Sequence, residues 1–266
     1  MNKEDHVAVS SVGKKIKIIA RAAKMIKESL ARKGRIFLFG AGTSGRLSVL
    51  EAAECPPTFG ISPSSIQAII AGGKRAVFLS QEGAEDQSDS LSTIEKKLTT
   101  KDIVIGIAAS GITPFTRAAL RAGKRKGCET ILITCNTQEL RPPPAKFVIV
   151  LNVGPEIIAG STRLKAATAT KITLNMLTTI AMVGLGKTYG PWMVDLRPMS
   201  AKLRLRAIRI VSQISKIPPA QSEEFLKKTR GNPKLAILMA SQHINLSQAR
   251  AKLKAADGFL RRALAA

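Results

Sequence analysis

Hydrophobic positions along the chain follow two kinds of pattern. Residues 14–33 repeat apolar side chains at helical spacing, which predicts a first helix. Short continuous apolar runs come next, most of them separated by stretches with helical periodicity: Ile36–Phe39, Ile66–Ile70, Ile103–Ile107, Thr130–Thr134 and Phe147–Leu151. Such runs, alternating with helices, are typical of a parallel sheet whose two faces are both covered. The pattern therefore predicts an α/β fold.

Helical patterns dominate the second half of the chain. Residues 165–184 form a long apolar stretch at helical spacing, and a basic helix is predicted over residues 201–215. An Ile-Pro-Pro sequence at residues 217–219 then indicates a hinge. Four shorter helical patterns follow it: Ser222–Thr229, Pro233–Gln242, Ser247–Ala255 and Phe259–Ala265. We therefore divide the chain into a sheet-containing domain, residues 1–215, and a small helical domain, residues 216–266.

Two loops rich in glycine and hydroxyl side chains follow the first and third predicted strands. These loops are Gly40–Arg46 and Ala108–Pro114. Parallel sheets bind ligands at the carboxyl ends of their strands, and amides at the start of a following helix favour anions. The first loop fits neither the dinucleotide fingerprint nor the lysine-bearing nucleotide loop, so we predict another type of phosphate site, with an ordinary tight turn as the alternative. The candidate phosphate-binding residues are Thr43, Ser44, Gly45, Ser110, Gly111 and Thr113.

The charge of the chain raises a different hypothesis. With 42 Lys and Arg against 18 Asp and Glu, the net charge is +24 at pH 7. A charge of this size invites a nucleic-acid-binding interpretation. The basic residues are nevertheless spread over polar faces of predicted helices and are not interleaved with aromatic side chains. A specific nucleic-acid partner is therefore the weaker alternative, and nonspecific binding of polyanions would be a by-product.

Cysteine usage and apolar segments bear on the compartment. The three cysteines, Cys55, Cys128 and Cys135, cannot pair completely and lack the spacing of metal ligands. The sequence contains no uninterrupted apolar stretch of membrane-spanning length and no apolar signal segment near residue 1. We therefore expect a cytoplasmic protein with no membrane partner.

Longer motifs match one enzyme family. The first loop is part of a Phe-Gly-Ala-Gly-Thr-Ser-Gly-Arg-Leu sequence at Phe39–Leu47, and a Glu-Cys-Pro-Pro-Thr-Phe-Gly sequence occupies Glu54–Gly60. Together with Glu-Gly-Ala-Glu-Asp at Glu82–Asp86, they closely resemble the N-acetylmuramic acid 6-phosphate etherases, which have the sugar isomerase (SIS) fold. Further matching segments extend the resemblance over nearly the whole chain: Ile70–Gly73, Gly106–Gly111, Gly160–Lys165, Met193–Asp195 and Ser222–Leu264.

The resemblance has implications for both fold and activity. It implies a three-layer αβα sandwich of the SIS type with a small, UBA-like C-terminal helical domain. It further implies a lyase that needs no cofactor and no metal, and that acts in the recycling of cell-wall amino sugars. Such an enzyme cleaves the D-lactyl ether of N-acetylmuramic acid 6-phosphate with water, giving N-acetylglucosamine 6-phosphate and D-lactate. SIS domains also resemble one another in pairing, so a homodimer is implied.

The family's two catalytic glutamates match Glu54 and Glu85. Cleavage by elimination needs a base to remove the C2 proton of the open-chain sugar and an acid to protonate the departing lactate oxygen. By similarity, Glu85 is the base and Glu54 is the acid. Without the family neither glutamate stands out, and Glu82 and Asp86 would be equally plausible from spacing alone.

Other correspondences with the family are less specific. Ser161 and Lys165 resemble a segment that lies near the sugar, whereas a lysine on a solvated helix start is the alternative for Lys165. Ser48 replaces a glycine of the family, and Pro191 and Ser200 stand where asparagines are usual.

A second function in the same fold remains open. The alternative is a catalytically weak, sugar-phosphate-binding regulator of the glucokinase-regulatory type, which shares the SIS fold. Retention of both Glu54 and Glu85 favours the enzyme, whereas loss of either would favour the regulator.

Overall fold

The computed structural model describes residues 1–87, 91–138 and 145–266. The strands are β1 (Ile36–Gly40), β2 (Ile66–Ile70), β3 (Ile103–Ile107), β4 (Glu129–Thr134) and β5 (Phe147–Val150). The helices are α1 (Asn2–Gly13), α2 (Ile16–Ala31), α3 (Gly42–Phe59), α4 (Arg75–Phe78), α5 (Ser92–Glu95), α6 (Pro114–Arg125), α7 (Lys165–Gly184), α8 (Ala201–Ser215), α9 (Pro219–Lys228), α10 (Pro233–Gln242), α11 (Leu246–Ala255) and α12 (Leu260–Ala265). A short 3-10 turn covers Ala84–Asp86. The predicted apolar runs are confirmed as the strands, to within one residue at each end.

All strand pairs of the sheet are parallel, and their order is β2-β1-β3-β4-β5. At the carboxyl end of β1, Gly40 pairs with Ile70 of β2 on one side and with Ile107 of β3 on the other. The chain therefore leaves β1 and β3 at neighbouring positions on one edge of the sheet. This register brings the two predicted loops next to each other.

Both faces of the sheet are covered, as the apolar runs predict. Alternate side chains of a strand point to opposite faces. On one face, strand residues pack with α6 in a cluster that includes Phe37, Phe39, Val104, Leu132, Phe115 and Leu120. The intervening residues, such as Leu38 and Ile105, are also buried, and α2 contacts β1 and β5. Burial on two faces explains why the strands are continuously apolar rather than alternating.

The first residues of the chain form α1, although hydrophobic periodicity predicts no element before residue 14. Ala8 and Val12 of α1 are buried. Its other positions are mostly polar or exposed, so the apolar signal is too short to reveal the helix. Tertiary contacts rather than local pattern account for this element.

Two compact units make up the described chain. The sheet unit consists of the described residues of Met1–Ala53 and Ser62–Ala181, and the helical unit consists of Glu54–Ile61 and Met182–Ala266. Within the described residues, no helix combines the length and apolar character needed to cross a membrane.

The helical unit has its own apolar core. Ala207, Ile210 and Val211 of α8 are buried together with residues of α9 and α10. The unit thus includes α8, which the sequence-based division places in the first domain. The domain boundary at residues 215/216 stays a prediction, because compact units within a chain need not coincide with separately folding domains.

Candidate active site

A tight β1–α3 turn forms the first part of the site. Gly45 is buried in the first turn of α3, and its N–H donates to the carbonyl of Ala41 at 3.1 Å. A Cβ at Gly45 would lie 2.4 Å from Ile70 Cγ1 and 2.7 Å from the Gly40 carbonyl, so this close approach requires glycine. Thr43 and Ser44 are partly exposed beside the first amides of α3, which have no intrahelical partners. Their hydroxyls and these amides together suit an anion.

Ser48 stands where the family has a glycine, and the structure accommodates its side chain. Its side chain is fully buried, and its hydroxyl donates to the Ser44 carbonyl at 2.9 Å. The added polar group is therefore satisfied inside α3.

The β3–α6 loop forms the second part of the site. Ser110 is exposed, and its hydroxyl oxygen accepts from the Ile112 N–H at 3.3 Å, which leaves the hydroxyl hydrogen for a ligand. Gly111 is buried in the turn with a φ of 73°, and Thr113 precedes the first residue of α6. Asn136 fixes this loop, because its amide donates to the Ser110 carbonyl at 2.9 Å. The hydroxyl side chains are thus presented on an ordered backbone.

A cavity of about 230 Å³ opens beside the β1–α3 turn. Its described lining consists of Ala41, Gly42, Arg46, Ala71, Ala76 and the segment Ser80–Glu85. Glu85 lies on the 3-10 turn Ala84–Asp86 and is exposed, whereas the neighbouring Ala84 is buried in the core of the sheet unit. Arg46 donates from Nε to the carbonyl of Val77 at 2.9 Å. The cavity thus combines a carboxylate, a guanidinium and the glycine turn.

Glu54 belongs to the helical unit, at the C-terminal end of α3. It is exposed, while Cys55 beside it is only 2% exposed. Gly60 follows the last residue of α3; its φ is 65°, and its N–H donates to the Pro56 carbonyl at 2.9 Å. A Cβ at Gly60 would lie 2.1 Å from the backbone oxygen of Asp195, so the chain approaches here as closely as glycine allows.

An ionic cluster in the same unit fixes Asp195. Its Oδ2 lies 2.7 Å from Lys234 Nζ and 3.0 Å from Lys187 Nζ, and Lys234 also donates to the Gly258 carbonyl at 2.8 Å. Lys234 is 4% exposed. Burial lowers the pKa of Lys234, and Asp195 opposes this effect by favouring the charged ammonium. The cluster therefore fixes Asp195, and the backbone of Asp195 lies against Gly60 at the end of the helix that carries Glu54.

Lys165 has an ionic partner in the structure. It is 3% exposed at the start of α7, and its ammonium forms a short hydrogen bond to the carboxylate of Glu4 in α1. The hydrogen bond from Lys165 holds the pKa of Glu4 below its ordinary value. Glu156 accepts from the N–H groups of Lys165 and Ala166, each at 2.9 Å, and so caps α7. The alternative of a solvated lysine is therefore wrong.

The structure brings together part of the predicted site. The β1–α3 and β3–α6 loops leave adjacent strands of the sheet unit, and Glu85 lines the cavity beside the first loop. Ser161 does not line this cavity and is partly exposed in the segment before α7. Glu54 belongs to the helical unit. Roles for all of these residues remain predictions.

Sequence reasoning missed several residues that support the site. Each of them forms a hydrogen bond described above, and they are Glu4, Arg46, Asn136, Asp195 and Lys234. Arg46 and Asp195 lie within matched motifs, so motif membership was the available signal for them. Glu4 and Asn136 act through contacts distant in sequence, which spacing does not reveal.

Comparison with known sequences identifies similar proteins. The profile of the glucokinase regulatory protein N-terminal SIS domain matches residues 17–124. A protein of Geobacillus thermodenitrificans named N-acetylmuramic acid 6-phosphate etherase is 43% identical over 99% of this chain and 90% of its own length. N-acetylmuramic acid 6-phosphate etherase 2 of Vibrio cholerae is 45% identical over 99% of this chain and 87% of its own length.

Solved structures give a consistent fold. A Listeria monocytogenes protein described as a candidate sugar-phosphate isomerase matches with a TM-score of 0.53 at 17% identity, over 70% of this chain and 87% of that one. An Escherichia coli protein, solved as a ligand complex, matches with a TM-score of 0.51 at 16% identity, over 71% of this chain and 91% of that one. At these identities the likeness shows the α/β fold alone.

Proposed function

Since the chain belongs to the N-acetylmuramic acid 6-phosphate etherase family, we propose that it cleaves the D-lactyl ether of N-acetylmuramic acid 6-phosphate with water. The products are N-acetylglucosamine 6-phosphate and D-lactate. The observation that carries this proposal is identity of 43% and 45% to two such etherases over 99% of the chain. Glu85, the glutamate that matches one of the family's catalytic pair, lines a cavity beside the β1–α3 turn, which agrees with this proposal.

The sugar phosphate binds at the carboxyl edge of the sheet. Hydroxyls of Thr43, Ser44 and Ser110, with the amides at the start of α3, donate to the phosphate oxygens. The support is that the loops leave adjacent parallel strands, Gly40 being paired with Ile107. Helix-terminal amides and hydroxyls together satisfy an anion without a dedicated lysine.

The reaction proceeds by elimination and then hydration. Glu85 removes the proton from C2 of the open-chain sugar, and the electron pair forms a C2–C3 double bond as the C3–O bond to lactate breaks. Glu54 gives its proton to the departing lactate oxygen. Water then adds across the double bond, its hydroxyl to C3 and a proton to C2, which completes N-acetylglucosamine 6-phosphate. Both side chains are exposed and so accessible to a substrate, while the assignment of acid and base follows the family resemblance.

Substitution of Ser110 tests the phosphate site. We expect Ser110→Ala to weaken binding of N-acetylglucosamine 6-phosphate by about 1–3 kcal/mol, because a hydrogen bond to a charged group is lost. Titration calorimetry measures the effect, and Ser247→Ala, at an exposed serine of α11, is the matched control. An affinity unchanged by Ser110→Ala would place the phosphate elsewhere.

A homodimer fits the surface of the sheet unit. Thr178 of α7 donates to Glu51 of α3 at 2.5 Å, and next to this pair Leu50 and Ile180 are 46% and 41% exposed. Exposed apolar side chains on adjacent helices indicate an interaction surface. We expect sedimentation to give a dimer at physiological salt, despite the +24 charge that opposes association. A monomer at every concentration would contradict this assembly.

The regulator remains a second candidate, because the glucokinase regulatory profile matches residues 17–124. Protein that binds the sugar phosphate tightly but releases no D-lactate would favour it.

A cytoplasmic location is part of the proposal, and three free cysteines support a reducing compartment. Burial raises the pKa of the Cys135 thiol to about 12, which disfavours its reactive thiolate.

A further inference from the structure

The cavity beside Glu85 has an uneven distribution of charge. Among its described lining residues, Glu82 and Glu85 carry carboxylates and Arg46 carries the one cation. The phosphate-binding loops use hydroxyls and amides, so a phosphate there does not require this guanidinium. Arg46 is therefore available for another anionic group.

Arg46 is held in position without being fully used. Its Nε donates to the Val77 carbonyl at 2.9 Å, and this is its one hydrogen bond to the described residues. A guanidinium has five N–H donors in a planar fork, so the two terminal nitrogens retain four of them. The side chain is partly exposed at the cavity wall. This fork matches a carboxylate, which it binds through two parallel hydrogen bonds.

The proposed substrate contains such a carboxylate. This step rests on the proposed function: the lactyl group is attached at C3, the carbon next to the C2 whose proton Glu85 removes. A base that reaches C2 must therefore share its cavity with the lactyl group. Without a cation, the lactyl carboxylate would face Glu82 and Glu85, and like charges at short range disfavour binding.

We propose that Arg46 binds the lactyl carboxylate and thereby selects the ether substrate over sugar phosphates that lack it. Arg46 also offsets the negative charge beside Glu85, so the substrate carboxylate and the base occupy one cavity together. Arg46 is thus a specificity-determining residue, with a role distinct from that of the hydroxyls and amides proposed to bind the phosphate.

Two ligands that differ only in the lactyl group separate this role from phosphate binding. N-acetylmuramic acid 6-phosphate and N-acetylglucosamine 6-phosphate are titrated into protein carrying Glu85→Gln, so that the substrate is not consumed. Adding Arg46→Gln should weaken binding of the muramic compound about 10- to 100-fold, the range for a charge-assisted hydrogen bond, and leave the glucosamine compound unchanged. Arg46→Lys should recover part of the loss. The control is Arg75→Gln, at an exposed arginine of α4 that does not line the cavity.

The methyl ester of the muramic compound gives an independent check. Neutralising the carboxylate should cost affinity when Arg46 is present and nothing further in Arg46→Gln. Equal losses for both ligands in Arg46→Gln would overturn the proposal, since Arg46 would then act on the phosphate or on the fold. D-lactate release by the unmutated protein is measured separately. Its absence would defeat the proposed activity, while the binding comparison would still decide the role of Arg46.

Discussion

The two glutamates assigned to catalysis are carried by segments of contrasting construction. Glu54 lies on α3, an 18-residue helix, beside the buried Cys55 and before a helix end fixed against Asp195. Glu85 lies on a three-residue 3-10 turn in which Ala84 is the buried residue. The first segment is braced by an ionic cluster around the buried Lys234, whereas the second is anchored mainly through the small side chain of Ala84.

This difference bears on how firmly each glutamate is held before the substrate binds. Segments with few buried contacts open locally at low cost, while braced segments hold a side chain in place before a ligand arrives. We therefore propose that Glu54 is held in place before the sugar binds, and that Glu85 lies on a turn that adjusts to the sugar. Variants that remove the bracing of one segment and leave the other intact test this difference.

The largest effect is expected at the ionic cluster. Asp195→Ala leaves the buried ammonium of Lys234 with only the Gly258 carbonyl, and we expect the free energy of unfolding to fall by about 3–5 kcal/mol. Chemical denaturation measures this loss. Glu223→Ala, which removes an exposed pair with Lys227, should cost less than about 1 kcal/mol.

A double variant checks the cause of the Asp195 effect. Replacing Lys234 by methionine in the Asp195→Ala protein removes the unpaired buried charge, so part of the stability should return. If Asp195→Ala costs no more than Glu223→Ala, the cluster does not brace this region.

A smaller effect is expected at a matched pair of glycines, one in each segment. Gly60 and Gly83 have φ values of 65° and 69°, so alanine meets the same backbone strain at both positions. At Gly60 the added Cβ would also lie 2.1 Å from the Asp195 oxygen, whereas at Gly83 no described atom lies within 4 Å. We expect Gly60→Ala to cost about 2–4 kcal/mol and Gly83→Ala about 1–2 kcal/mol, measured by denaturation. Equal costs would mean that the contact with Asp195 relaxes freely.

Much of the fold follows from local pattern. The strands are continuously apolar because both faces are buried, so their positions could be predicted from the sequence alone. Helices α7 and α8 begin and end where their periodicity does. Helix α1 could not be predicted in this way, because its stability depends on contacts such as that between Glu4 and Lys165, which are 161 residues apart.

Only part of the candidate site could be predicted from local pattern. Glycine and hydroxyl residues after β1 and β3 indicated an anion site, because parallel topology fixes where strand ends meet. The glutamates came from the family resemblance, since nothing in their spacing separates Glu85 from Glu82 or Asp86. The partners of Asp195 depend on distant chain segments, so only the structure reveals the bracing.

We propose that Glu85 removes the C2 proton and that Glu54 protonates the departing lactate. The most direct test follows C2 proton exchange with deuterated solvent and D-lactate release in the Glu54→Gln and Glu85→Gln variants. Glu85→Gln should abolish both, whereas Glu54→Gln should reduce lactate release by about 10²–10⁴-fold while exchange continues, because proton removal precedes ether cleavage. Equal loss of exchange in the two variants would contradict this assignment.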